Sequence, residues 1–275
     1  MFQEVMVCLD GSLFAEKILP YAQAIVGTVG GKLTLLRVVA NEGESAAAES
    51  YLQVCARRWG AGIKVQIARL DAESSILEEL SKNPGAIAAI TTHGRSGLLE
   101  ALMGSVALSV IRGARRPVLL YRPWAAAKAA EKDQEIKISS VVAALDGSEF
   151  SESILSFAAE TARSLKAKLE LVQVLPPHGS AAQISAELKR DVVEYSYVRR
   201  QAEATRRGYG LEVGWDVLHG DPGEAICNHV QGRDDVILAM TTRARAGLEQ
   251  AVFGSVTSEC VRRAGVLLLV YWPRL

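Results

Sequence analysis

The chain has 275 residues, of which 49% are hydrophobic, and its 31 lysines and arginines are balanced by 31 aspartates and glutamates. That composition supports a substantial core and excludes a disordered chain. The zero net charge excludes a nucleic-acid binder that works through bulk electrostatics, and it leaves self-association unopposed.

The length suits one large domain or two of ordinary size. Met1-Phe2-Gln3-Glu4 carries no basic export region, and no apolar stretch reaches the ~18 residues of a membrane span. The expectation is therefore a cytoplasmic chain that does not engage a membrane. Cys8, Cys55, Cys227 and Cys260 are scattered without CxxC spacing and read as reduced thiols packed inside.

Val5 to Leu9 is a continuous apolar run, the pattern of a strand in a parallel sheet covered on both faces. It ends in Asp10-Gly11-Ser12. Ser12 is placed to cap a helix with Glu16 in its first turn and Ile18, Leu19, Ala22 and Ile25 on one face. Gly30-Gly31 stops that helix, and Leu33 to Val39 is a second strand. Asn41 to Ser50, small and polar, reads as a loop, Tyr51 to Trp59 as a helix and Ile63 to Leu70 as a third strand. A helix starting at Ser74-Ser75 carries Ile76, Leu77 and Leu80 and stops at Asn83-Pro84-Gly85. Ala86 to Ile90 is a buried strand, Val106 to about Arg112 a helix, and Pro117 to Tyr121 a last strand. Strands alternating with helices predict a doubly wound α/β fold.

Ala125 to Glu135 lacks a core-forming period and reads as a linker. After it the pattern starts again. Val141 to Phe150 matches Val5 to Phe14 at a constant offset of 136, and Ile154, Leu155 and Ala158 repeat Ile18, Leu19 and Ala22. Leu169 to Val174 repeats Leu33 to Val38, and from Thr241 onward the offset is 150. The 14 extra residues are placed most simply in a longer helix over 182–207. The chain is an internal duplication: a first domain over 1–124, a linker over 125–135 and a second domain over 136–275.

Each repeat carries a glycine-bearing segment between a strand and a helix, where bare backbone and the unpaired N–H groups of a helix start suit a phosphate. In the first repeat it is Thr91-Thr92-His93-Gly94-Arg95-Ser96-Gly97, closing on Gly104-Ser105-Val106; in the second, Thr241-Thr242-Arg243-Ala244-Arg245-Ala246-Gly247, closing on Gly254-Ser255-Val256. Asp10 and Asp146, at strand ends, either face the crevice beside these segments or cap the next helix. Ser105 and Ser255 likewise serve a ligand or cap their helices.

In these residues the sequence resembles a tandem universal stress protein, over nearly its whole length. Nucleotide-binding members of that family carry a strand-end aspartate and a G-x-x-G-x(9)-G-[ST] loop. Here Gly94, Gly104 and Ser105 fit that pattern while Thr91 replaces its first glycine; in the second repeat only Gly254 and Ser255 fit, because Thr241 and Ala244 replace both early glycines. The resemblance implies two tandem Rossmann-like domains, each with a five-stranded, mainly parallel sheet flanked by helices. It implies an adenine nucleotide, ATP or AMP, on Asp10 (ribose), the Val38 backbone (adenine edge) and Gly94, Gly104, Ser105 and Val106 (phosphates), with magnesium accompanying ATP. The second repeat offers a weaker set: Asp146, Val174, Gly254, Ser255 and Val256. There Arg243 and Arg245 either grip a phosphate or fill the cleft. Tyr121-Arg122-Pro123 and Tyr271-Trp272-Pro273 close the last strands, which in the family pair to make an intramolecular pseudo-dimer, and a homodimer of such chains is expected.

His178 and His229 lack companions at metal-ligand spacing, and His93 and His219 read as loop and turn residues. Arg112, Arg115 and Arg116, echoed by Arg262 and Arg263, read as a solvated helix end. No Walker lysine, Ser-His-Asp set or carboxylate pair emerges, so the expected role is a sensor or regulator with at most slow ATP hydrolysis. The alternative is a nucleotide-free interaction module of the same fold.

Overall fold

A computed structural model describes residues 2–92, 104–123, 136–175, 184–242 and 254–273, of which 184–194 are described as helical backbone alone. Gly94, His93, His178, Arg243, Ala244, Arg245 and the linker expected over 125–135 lie outside the described residues.

The first repeat runs β1 (Glu4–Cys8), a 3-10 turn (Ala15–Ile18), α1 (Leu19–Val29), β2 (Lys32–Val39), α2 (Ser45–Trp59), β3 (Gly62–Ile67), α3 (Ala72–Lys82), β4 (Ala86–Thr91), α4 (Ser105–Gly113) and β5 (Val118–Tyr121). The second runs β6 (Ser140–Leu145), α5 (Glu149–Glu152), α6 (Leu155–Leu165), β7 (Lys168–Leu175), α7 (Ile184–Tyr209), β8 (Val213–His219), α8 (Pro222–Val230), β9 (Val236–Thr241), α9 (Ser255–Arg263) and β10 (Leu267–Tyr271). The described residues form two compact units: one reaches residue 137 and includes those from 267 onward, the other covers 138–266.

In the first unit five parallel strands are ordered β3-β2-β1-β4-β5, and β10 pairs antiparallel with β5, Leu268 opposite Leu120. In the second, β9-β6-β7-β8 are all parallel. Every residue of β4 and β5 is buried, as befits parallel strands with helices on both faces. Helices pack in pairs, α3 on α4 in the first unit and α6 on α7 and α8 on α9 in the second. This is the mainly parallel, doubly wound architecture read from the sequence.

Local differences from that reading have physical causes. The stretch taken as a loop over Asn41 to Ser50 holds a short turn (Glu42–Glu44) and the first turns of α2. Its Ala46-Ala47-Ala48 run is strongly helix-forming, Ala48 is fully buried, and the Glu44 carboxylate folds back to accept from Ala40 N at 3.4 Å and Asn41 Nδ2 at 3.1 Å. The third strand stops at Ile67 rather than Leu70, because the chain turns to Asp71, whose carboxylate caps α3 by accepting from Ser74 N at 2.7 Å. The first α-helix starts at Leu19, behind a 3-10 turn that Ser12 Oγ caps by accepting from Ala15 N at 3.1 Å. Arg116 is no solvated helix end. Its guanidinium donates to the carbonyls of Asn83, Pro84 and Ala86 at 3.1, 2.8 and 3.1 Å, tying the turn before β4. The long helix of the second repeat is described from Ile184 and runs to Tyr209, two residues past the expected end at Arg207.

Candidate functional site

With β2-β1-β4 adjacent, the connections from β1 and β4 leave on opposite sides, so a crevice opens beyond their C-terminal ends. A cavity of about 320 Å³ lies there. Asp10, Val38, Gly104, Ser105 and Val106 all line it, although they are spread over nearly a hundred positions of sequence.

Asp10 follows β1. Its Oδ1 accepts from Ser12 N at 2.9 Å and from Ser12 Oγ at 2.6 Å, and Ser12 in turn holds the 3-10 turn. The carboxylate thus organises the turn with one oxygen, and among the described residues no hydrogen bond takes up Oδ2. Asp10 caps no helix directly: it serves the local turn through Ser12, and it lines the cavity. Gly11 adopts φ +88, a conformation that favours glycine, with the Arg37 guanidinium packed 2.9 Å from where a Cβ would stand.

Val38 contributes through its backbone. Leu36 O accepts from Leu9 N at 2.9 Å, toward β1, whereas Val39 O accepts from Ala68 N at 2.8 Å, toward β3. Backbone groups alternate sides along a strand, so Val38 points its N–H and C=O to the β1 side, beyond the last residue β1 can offer.

Gly104 N donates to Thr92 O at 3.0 Å, and Thr92 N donates to Tyr121 O at 3.1 Å, which anchors the start of α4 to the end of β4. Gly104 is the N-cap of α4, at φ −53 and ψ 139, and provides no side-chain cap. The N–H groups of Ser105, Val106 and Ala107 are first-turn groups without intrahelical acceptors, and all three residues line the cavity. They form the electropositive part of a cavity that the Asp10 carboxylate also lines.

Sequence reading missed the apolar wall. Leu36, Ala72, Ile76 and Ile90 line the cavity; Ile76 was legible only as one apolar position of a helix. Cys8 belongs to the same wall, and desolvation pushes its thiol up to about 12, so it is a neutral lining group. Thr91, which stands where the family pattern has glycine, also lines the cavity from the end of β4, 8% exposed.

The second repeat copies the frame. Asp146 Oδ1 accepts from Ser148 N at 3.0 Å and from Ser148 Oγ, and Ser148 Oγ accepts from Ser151 N at 3.2 Å to cap α5. Gly254 caps α9, with Ser255 and Val256 in its first turn. Val174 holds the place of Val38, and Gly220 N donates to Leu175 O at 2.9 Å as Ala68 N does to Val39 O. The lining differs. Thr257 stands where the first repeat has Ala107, and its hydroxyl donates to Thr241 O at 3.1 Å.

A model of the universal stress protein family matches residues 40–122 and again 137–271. Among curated proteins, a universal stress protein of Mycobacterium tuberculosis and one of Mycobacterium bovis are each 28% identical over 144 residues. The match spans 45% of this chain and 45% of each of those relatives, so less than half of their length is represented here. Among solved structures, a universal stress protein from Archaeoglobus fulgidus superposes with a TM-score of 0.68 at 21% identity, covering 98% of each chain. A Pseudomonas aeruginosa protein superposes with a TM-score of 0.66 at 20% identity, covering 99% of this chain and 93% of that one. These two likenesses establish the fold. The family matches, one in each repeat, take in most of the sequence, and the chain belongs to the universal stress protein family as two such domains in tandem.

Proposed function

We propose that the first repeat binds an adenine nucleotide, ATP or AMP, and that the chain works as a stress-linked sensor or regulator through ligand-dependent shape. One observation carries this reading: a single crevice joins an apolar wall, a carboxylate, an outward-pointing strand backbone and a helix N-terminus. These suit a base, a ribose, an adenine edge and a phosphate in turn. At about 320 Å³ the cavity lies near the lower end of the ~300–1,000 Å³ usual for small-molecule sites.

In this reading the site binds rather than catalyses quickly. Among its described residues the ionisable groups are the Asp10 carboxylate and the neutral Cys8 thiol, and neither is placed as a general base with a partner. Gly94 completes the phosphate cradle in this reading, and magnesium would enter with ATP, held by the phosphates. Asp146, Val174, Gly254, Ser255 and Val256 form a weaker second site. A cytoplasmic homodimer completes the proposal; among the described residues no helix is long and apolar enough to cross a membrane.

The test is to denature the purified chain, identify any released nucleotide by mass spectrometry with its stoichiometry, and titrate emptied protein with ATP and with AMP. One adenine nucleotide per chain supports the reading and decides between the two ligands. Two per chain make the second repeat an equal site. None, with flat titrations, overturns nucleotide binding in favour of an interaction module.

A further inference from the structure

A second cluster of ligating groups lies in the other unit. Glu170 on β7, Asp216 on β8 and His229 on α8 bring one carboxylate oxygen each and an imidazole nitrogen within 4.8 Å of one another. Glu170 Oε1 is 3.1 Å from His229 Nε2. The strand register explains the meeting. Glu170 stands opposite Gly214, which has no side chain, so Asp216, two residues on and on the same face, shares the space above Glu170. Asp216 Oδ1 accepts from Val217 N at 2.8 Å, which steadies the carboxylate.

The first repeat shows what this position is for. Lys64 pairs with Leu36 across β2 and β3 as Asp216 pairs with Val172 across β7 and β8. Glu79 lies eight residues after the α3 cap Asp71, as His229 lies eight after the α8 cap Asp221. Glu170 takes the place of Thr34. In the first repeat the Lys64 ammonium meets the buried Glu79 carboxylate in an ion pair, so the protein supplies its own cation. In the second repeat the lysine has become aspartate, its partner histidine, and the threonine a further carboxylate. Two carboxylates and an imidazole then meet in the place where the first repeat has the lysine ammonium. His229 is the hydrogen-bonding partner of Glu170 at 3.1 Å and pairs with it as a cation when protonated; the other cationic side chain near them among the described residues is Arg233, whose Nη1 stands 3.8 Å from Glu170 Oε2, beyond hydrogen-bond distance.

We propose that Glu170, Asp216 and His229 bind a divalent transition-metal ion of the zinc type, in the place where the first repeat holds the Lys64 ammonium. Two donors on one tetrahedral zinc at ~2.1 Å lie about 3.4 Å apart, close to the Glu170–His229 separation already present, so the Asp216 carboxylate needs only a short inward rotation. One nitrogen and two oxygens suit zinc, cobalt or nickel, whereas magnesium and calcium would not gain from the imidazole. Three protein ligands leave a fourth position for water.

The test is titration of the full chain, freed of metal with chelator, using Zn²⁺ by calorimetry and Co²⁺ by its visible absorption, with Mg²⁺ as control. The expected result is one ion per chain, with affinity lowered more than about tenfold by His229→Ala and by Asp216→Asn. Asp216→Lys restores the lysine of the first repeat and should abolish binding while the chain stays folded, which covers the case in which His229→Ala does not fold. Absence of saturable Zn²⁺ binding, or binding that all three variants leave unchanged, would overturn the proposal.

Discussion

Gly104→Asp separates ligand binding from folding, because the same substitution should act in opposite directions on the two. Gly104 has φ −53 and ψ 139, ordinary for any residue, and an added Cβ would meet Thr92 O at 3.5 Å, an ordinary contact. As the N-cap of α4 it provides no side-chain acceptor. Aspartate supplies one, worth a few tenths of a kcal/mol over glycine, and its charge adds about 0.3–1 kcal/mol at the helix start. The unliganded fold should be unchanged or slightly more stable. Toward a phosphate held by the first turn of α4, the new carboxylate is a like charge at roughly 4 Å, about 4 kcal/mol at an effective dielectric near 20. That corresponds to about a thousandfold loss of affinity. Gly104→Asn has the same size and capping ability without the charge, and should keep most of the binding. Nucleotide titration calorimetry and thermal melts of the emptied proteins read both effects. Unchanged affinity in the aspartate variant would remove the site from α4. Equal losses in both variants would show that volume, not charge, is responsible, and a lower melting temperature without ligand would refute the capping argument.

Thr91→Gly should raise affinity for ATP relative to AMP, because it removes a branched side chain from the cavity wall at the end of β4; an unchanged ratio by parallel titration would show that Thr91 does not limit the phosphate end. Glu79 gives a pH signature. Burial pushes its carboxyl up, but the hydrogen bonds and charges of Lys64 and Lys82 outweigh this and hold it below the usual carboxylate range. A depressed folded-state pKa stabilises above the unfolded value of about 4.3 and loses that contribution as pH falls through the folded value. Denaturant midpoints of wild type and Glu79→Gln should therefore converge as pH falls from neutral to below the ordinary carboxylate range, and parallel curves would refute the pairing. Leu52→Ala should cost about 2–5 kcal/mol by urea unfolding, since Leu52 is fully buried on α2; a cost below ~1 kcal/mol would mean that α2 is not packed as described.

Features controlled by short-range chemistry were legible along the chain. Val5 to Leu9 and Ala86 to Ile90 are continuous apolar runs, and both became buried parallel strands because only a sheet covered on two faces hides such runs. Gly104-Ser105 and Gly254-Ser255 marked the starts of α4 and α9, since glycine before a helical run leaves first-turn N–H groups open. The constant offset between the repeats made the duplication legible without any structure. The candidate site was legible as residues, through the family resemblance, and not as a place.

Tertiary structure decided the rest, because it depends on register and on which strands become neighbours after long crossovers. The Val38 backbone is open to the cavity only because β1 ends beside Leu36 and β3 continues on the other side. Ile76 became cavity wall, and Arg116 a clamp on the turn before β4, through contacts that no local periodicity encodes. Asn41 to Ser50 was misread because its polarity says loop, whereas burial of Ala48 and the alanine run favour helix once α2 has a sheet to pack on. His229 has no ligand-spaced neighbour along the chain. Glu170 and Asp216 reach it because parallel pairing of β7 with β8 sets them on one face and α8 brings the imidazole back over it.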